Sequence, residues 1–288
     1  MAQTNIARGI ALMIAATLMF TLMDVCAKAL STRVDTVQTL WARYTVQMVT
    51  VIVLVAPRLR EVVHTTRLPL QIFRAFALLG ATGFFFFGFL KMSLIETTAL
   101  MQISPIIIMV GAAVFLGERF GMRRAVAAGV ALIGAMIVLR PGTDAFTPYA
   151  FLTLGGVLCY CTYALATRVA GRAEDVWTSL FYTGTVATLV LCALVPFFWQ
   201  PLEASDLPWM LGVGLLGTAG QLLLIRALSM APASVLAPFT YVALVFSSVW
   251  GVVFFGNYPD GAVYLGAAII VGAGLYVWHR ETRAKRIT

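Results

Sequence analysis

Asp24 and Lys28 stand four residues apart inside the stretch 7–30, which is otherwise almost wholly apolar. Taking either charge alone into hydrocarbon costs several kcal/mol, roughly 2.5 or more on insertion scales, so each must meet a partner or water. At i and i+4 they share a helix face and can pair with each other. The alternative is that Asp24 holds the ammonium of a solute or carries a coupling proton. Arg43 shares a helical face with Thr36, Gln47 and Thr50. Its guanidinium suits a carboxylate, or, lying about two turns inside its segment, it snorkels to headgroups. Tyr160 and Tyr163 continue a stripe of Tyr149, Thr153, Gly156 and Thr167. Rings with polar tips suit a wet cavity, and plain helix packing is the competing explanation. Gln102 with Pro105, and Pro238 with Tyr241, sit where a kink can expose backbone carbonyls to a pathway. Pro105 and Pro238 are therefore the candidate gating positions. Gln221 is a further deep polar residue. The expected solute-binding set is thus Asp24, Lys28, Arg43, Gln47, Gln102, Tyr160, Tyr163, Gln221 and Tyr241.

The elements that must position these residues are set by composition. Of 288 residues, 61% are hydrophobic and 11% charged, and mean hydropathy is +0.93, far from a soluble balance. Ten apolar segments are expected to span a bilayer, at 7–30, 37–55, 70–90, 97–116, 122–139, 148–169, 176–198, 207–228, 233–255 and 262–278. Each is near the ~20 residues a helix needs for about 30 Å of hydrocarbon. Frequent Gly and weak alternation favour helices over barrel strands. Phe84 to Phe87 surround their helix, so at most one or two face inward, and the rest meet lipid. The opening MAQTNIARG lacks a small-residue cleavage site, so the first span is expected to be retained.

Lys and Arg give an orientation. With a cytoplasmic N-terminus the inner side receives Arg8, Arg58, Arg60, Arg67, Arg74, Arg119, Arg123, Arg124, Arg168, Arg172, Arg226, Arg280, Arg283, Lys285 and Arg286. Only Lys28, Arg33, Arg43, Lys91 and Arg140 fall outside, a bias that puts both termini in the cytoplasm. The net charge of +8 then follows from topology and anionic lipid, and nucleic acid is not expected as a partner.

Motifs for chemistry are sparse. There is no GxxxxGK[ST], HExxH or GxSxG. Gly212-Val213-Gly214-Leu215-Leu216-Gly217 fits GxGxxG, but lies inside a span with no strand before it, and is read as close helix packing, like Ala127, Ala131 and Ala135. Cys26, Cys159, Cys161 and Cys192 lie within spans as small apolar residues, without zinc spacing. No metal, no cofactor and no enzymatic activity are expected. With Arg43 and Lys28 the only deep basic candidates, neutral or zwitterionic cargo fits better than a strongly charged one.

The chain also looks doubled. Phe115-Leu116-Gly117-Glu118 and Phe254-Phe255-Gly256-Asn257 lie 139 positions apart. The same shift carries Thr17, Thr21, Asp24 and Lys28 onto Gly156, Tyr160, Tyr163 and Thr167, and Gln102 onto Tyr241. Five spans per half is an odd number, so the second half inserts upside down. The expected fold is an all-α integral membrane protein: ten transmembrane helices in two inverted five-helix repeats, 1–143 and 144–288, around a central cavity. Inverted repeats point to alternating-access transport, with a channel or a membrane enzyme as lesser alternatives.

Leu116-Gly117-Glu118, Arg140-Pro141-Gly142 and Ala231-Pro232-Ala233-Ser234, in this order across ten spans, resemble the EamA branch of the drug/metabolite transporter superfamily. Asn257 departs from the repeated acid, so a role for Glu118 is not symmetric. The resemblance implies a helical basket around a cavity that moves metabolites across the cytoplasmic membrane, often amino acids and commonly outward. Within the family the chain is similar to bacterial aromatic amino-acid exporters, with carriers of nucleobase-like compounds, cofactors or cationic drugs as the alternative. The implied partners are a small-molecule solute, amino acids first, and membrane lipids. Oligomeric state is left open.

Overall fold

A computed structural model describes residues 2–116, 122–139, 147–170, 175–230 and 236–284. The helices are α1 Ala2–Leu30, α2 Thr36–Val55, α3 Leu59–Val63, α4 Leu68–Gly88, α5 Leu94–Met101, α6 Ser104–Leu116, α7 Met122–Leu139, α8 Tyr149–Ala170, α9 Val176–Leu194, α10 Leu207–Met230, α11 Val242–Phe255 and α12 Gly261–Ala284. In hydrocarbon a chain must satisfy its backbone internally, and helices do this within each segment. The chain marks their ends. Asp35 and Asp175 accept from the first-turn amides of α2 and α9. Ser93 and Glu96 form a reciprocal capping box on α5. Gly256, at φ 62°, closes α11 in the left-handed region.

Among the described residues five helices are long and apolar enough to cross a membrane: Ala7–Leu30, Leu68–Gly88, Tyr149–Thr167, Val176–Phe198 and Leu207–Ala227. Shorter apolar helices cover Leu94–Ile108, Phe239–Phe255 and Gly261–Ala273. These fall on eight of the ten expected segments, and the helices Thr36–Val55 and Met122–Leu139 fall on the other two. The fourth segment begins at Leu94, earlier than expected, and breaks at Gln102 and Ile103 before restarting at Ser104. Pro105 falls in the first turn of α6, where a missing amide hydrogen leaves no helical bond unmade. In the ninth, the 3₁₀ turn Ala237–Tyr241 precedes α11. Glu118, Arg140-Pro141-Gly142 and Ala231-Pro232-Ala233-Ser234 lie outside the described residues.

Helix packing has an exchange symmetry. α1 packs on α10 as α4 packs on α8; α2 meets α10 as α9 meets α4; α1 meets α11 as α8 meets α6. α2 with α9, α5 with α11 and α7 with α12 map onto themselves when the halves are swapped. Glycine permits the closest crossings. A Cβ on Gly214 would overlap Val46, one on Gly217 would press on Met23, and Gly212 lies against Cys26. Gly134 and Gly266 meet the same way between α7 and α12. Apolar residues such as Val53, Phe76, Phe151, Leu189 and Val253 stay exposed on the outside, as lipid-facing positions would.

Candidate functional site

Asp24 lies buried on α1 and its Oδ1 has no hydrogen-bond partner. Arg43, buried on α2, has Nε and Nη1 unpartnered. Its guanidinium rests 4.9 Å from the Tyr44 ring centre and 5.9 Å from that of Phe86. Of the four consecutive phenylalanines Phe86 is the one fully inside, and Phe84 is exposed. The Arg43 charge acts on Asp24, and no ion pair joins the two. Opposite Arg43 lies Gly217 of α10, where a Cβ would stand 3.2 Å from Nε. A side chain there would fill the space beside the guanidinium, so a glycine makes the site possible.

Two expectations for these charges are corrected. Asp24 and Lys28 do not pair. Lys28 Nζ instead donates to the carbonyls of Phe89 at 2.9 Å and Met92 at 2.7 Å, with the Phe89 and Phe255 rings beside it. The α4 helix ends at Gly88, so these carbonyls lack helical donors, and the ammonium supplies them. Lys28 thus ties α1 to the α4–α5 link, at the rim of a cleft of about 600 Å³ also lined by Ser93, Glu96, Asn257 and Asp260. Arg43, 3% exposed, does not snorkel.

The aromatic and amide residues divide. Tyr163 is buried and its hydroxyl accepts from Gln221 Nε2 at 2.5 Å, linking α8 to α10. Tyr160 is half-buried, its ring centre 6.4 Å from that of Tyr163. Thr153 and Gly156, on the same stripe, pack on α4: a Cβ on Gly156 would stand 3.1 Å from the Ala81 carbonyl. Gln47 donates to the Leu180 carbonyl and to Thr183, and keeps Oε1 unpartnered. Gln102, at the break between α5 and α6, donates to the Thr240 carbonyl at 2.9 Å, while Thr98 and Ser247 share a bond of 2.8 Å. Both contacts join one half of the chain to the other. Tyr241 is buried where the 3₁₀ turn meets α11, and Pro238 lies in that turn.

Arg74 is the residue sequence reasoning missed as part of the interior. Counted with the cytoplasmic-side charges, it is instead 0% exposed inside α4. Its Nε donates to Thr167 at 3.0 Å, and Nη1 to Gln71 at 2.7 Å and Ser179 at 3.0 Å. The guanidinium lies 5.4 Å from the Tyr163 ring centre. The stripe Gln71, Arg74, Leu78, Thr82, Phe86 runs at helical spacing through α4 and could have revealed it. Tyr44 of α2 packs against this stripe, its hydroxyl sharing a hydrogen bond of 3.0 Å with Thr82. A limit on cargo drawn from only two deep basic residues therefore does not hold.

The polar interior thus comprises Asp24 and Arg43 beside α10, and Tyr163, Gln221 and Arg74 between α4, α8 and α10. It offers one carboxyl and two guanidinium groups with hydrogen-bonding capacity left over. Among the described residues no group of three or more His, Cys, Asp or Glu is placed to hold a metal.

Comparison with known proteins agrees at the level of fold and family. A solved crystal structure superimposes with TM-score 0.68 at 16% identity, covering 95% of this chain and 96% of the other. Riboflavin transporters of Vibrio cholerae and Rhizobium johnstonii are 30% and 34% identical over 190 and 196 residues. Those matches take in 65% and 66% of this chain and 63% and 64% of theirs, so the chain spans somewhat under two thirds of the length of these relatives. An S-adenosylmethionine uptake transporter of Rickettsia felis is 24% identical over 262 residues, 91% of this chain and 89% of that one. These relatives are named for riboflavin and S-adenosylmethionine, so the likeness to amino-acid exporters gains no support from them. The EamA-like transporter family matches twice, over residues 7–140 and 147–278. With both halves matched and a polar site buried between apolar helices, the chain is a multi-pass membrane protein that belongs to the EamA-like transporter family of the drug/metabolite transporter superfamily.

Proposed function

We propose that the chain is a secondary carrier that moves a small metabolite with a zwitterionic head across the bacterial cytoplasmic membrane by alternating access. Arg43 takes the carboxylate, Asp24 the ammonium, and Tyr160, Tyr163, Gln47 and Gln221 face the remainder of the solute. The observation that carries this reading is the pair of unmet groups: Asp24 Oδ1 and Arg43 Nε and Nη1 are buried without a partner. Leaving a buried donor or acceptor unsatisfied costs about 1–3 kcal/mol, more when charged. A zwitterion supplies the missing partners with matching signs, which suits export of aromatic and other neutral amino acids, and suits S-adenosylmethionine equally, since it bears the same head group.

The repeat 1–143 and the inverted repeat 144–288 would form the two moving bodies, with both termini in the cytoplasm. The exchange symmetry of helix packing supports this, because two packings related by the swap have the same contacts with the two membrane faces interchanged. The sequence has no GxxxxGK[ST] motif for ATP, so the solute gradient, exchange or an ion gradient would provide the drive. A second reading is a flat, uncharged solute such as riboflavin held on Tyr160 and Tyr163, favoured by the two riboflavin transporters.

Counterflow in proteoliposomes separates the two. Liposomes preloaded with unlabelled phenylalanine, S-adenosylmethionine or riboflavin are tested for uptake of the same labelled compound. Acceleration by the first two and not the third supports the zwitterion site. Acceleration by riboflavin alone sinks it in favour of the flat solute, and acceleration by none removes all three as cargo.

A further inference from the structure

We infer that Arg74 is a second anion subsite, one that takes the carboxylate of the transported solute at a different depth from Arg43. The inference rests on the carrier reading above and adds a station to it.

Arg74 is wholly buried, yet among the described residues the groups that touch it are neutral: the Thr167 and Ser179 hydroxyls, the Gln71 amide oxygen and the Tyr163 ring. Buried guanidinium groups ordinarily face a carboxylate, because desolvating an unpaired charge is costly. Here three helices, α4, α8 and α9, contribute acceptors that fix Nε and Nη1 while Nη2 is left without a partner. The acceptors are themselves oriented: Thr167 Oγ1 donates to the Tyr163 carbonyl at 2.7 Å, which leaves its lone pairs for Arg74. Such an arrangement holds a guanidinium in place with one edge uncommitted. A planar carboxylate is the anion that edge fits.

Position along the helices makes it a separate station. Arg43 follows the start of α2 by seven residues and Arg74 follows the start of α4 by six. α2 and α4 begin on opposite faces, so at ~1.5 Å per residue each arginine sits about 10 Å in from its own side. Along α4 twelve residues separate Arg74 from Phe86, under the Arg43 guanidinium. On α10, Gly217 lies beside Arg43, and Gln221, one turn further, bonds the tyrosine that covers Arg74. An acidic group released from Arg43 would meet Tyr163 and Gln221, then Arg74, on its way to the other face.

The test uses the full-length protein in nanodiscs with phenylacetate as probe and phenylacetamide as its uncharged counterpart, at constant ionic strength. The midpoint of thermal unfolding is followed against probe concentration. Phenylacetate should raise the midpoint of the wild type, and phenylacetamide should not. Arg74→Gln should need roughly tenfold more phenylacetate for half the shift, Arg43→Gln should keep part of the response, and the double substitution should abolish it. Should Arg74→Gln not fold, Arg74→Lys, which keeps the charge and loses the fork, should show the weakened response. The subsite is overturned by an unchanged response in Arg74→Gln or Arg74→Lys, by full loss in Arg43→Gln alone, or by a wild type that ignores phenylacetate or answers the amide equally. If the subsite fails while counterflow persists, the carrier stands; failure of counterflow with the phenylacetate response intact leaves a binding site without a carrier.

Discussion

At the scale of single residues, the charged groups of the interior are held mostly by neutral atoms, and this decides what each substitution should do. Arg43→Gln should weaken transport of phenylalanine roughly tenfold or more while leaving its amide, which lacks the carboxylate, nearly unchanged in competition assays, because truncating one member of a buried charge pair strands the other. Equal loss for both compounds would count against a carboxylate contact. If Asp24 carries a coupling proton, Asp24→Asn should erase the dependence of transport on the proton gradient, since an amide does not titrate; an unchanged pH profile removes that role. Tyr163→Phe strands the Gln221 amide and should cost about 1–3 kcal/mol of stability, read as a lower unfolding midpoint. Asp24, Arg43 and Gln221 were legible in the sequence because polar residues stand out against an apolar background. Their partners were not. Lys28 meets two backbone carbonyls, and a carbonyl leaves no trace in residue type.

At the scale of elements, the helices cross where glycine lets them. Gly214→Val should overlap Val46 and lower stability by about 1–3 kcal/mol, whereas Gly129→Ala, with open space around it, should be tolerated. Comparable unfolding midpoints for the two variants would refute the packing role given to the glycines of α10. The GxGxxG spacing could be read as packing because no strand precedes it, but which helix it packs against came only from the fold. The break at Gln102 was half legible. Pro105 marked the place, while the hydrogen bond from Gln102 to Thr240 across the halves shows what stabilises an interrupted helix there. The same holds for the stripe on α8: its residues share a face, yet Thr153 and Gly156 serve packing on α4 while Tyr163 serves the polar interior.

At the scale of the whole molecule, the two halves are tied to each other at the α1–α2 and α9–α10 links. Arg33 pairs with Glu203 at 2.5 Å and lies 3.2 Å from Asp206, and Gln38 exchanges two hydrogen bonds with Gln200. At the other end of α9, Tyr182 donates to the Val63 carbonyl at 2.7 Å. In the proposed inverted arrangement these two groups would face opposite sides of the membrane. In a variant with the native cysteines replaced, Arg33→Cys and His64→Cys, made singly, should label with an impermeant maleimide from opposite sides of sealed cells. Labelling of both from one side would exclude the proposed topology.

What the sequence alone determined was the class of molecule: apolar segments of membrane length, a doubling at a shift of 139 positions, and family membership, all of which depend on patterns repeated over many residues. Such patterns survive without knowledge of contacts because hydrophobic burial is additive along the chain. The tertiary structure decided which charges face one another. A buried charge is stabilised by a few atoms at hydrogen-bond distance, brought together from helices far apart in sequence, and so only the fold showed that Arg74 is buried among neutral groups and that Lys28, open in the sequence to an ion pair or a solute, holds the carbonyls at a helix end.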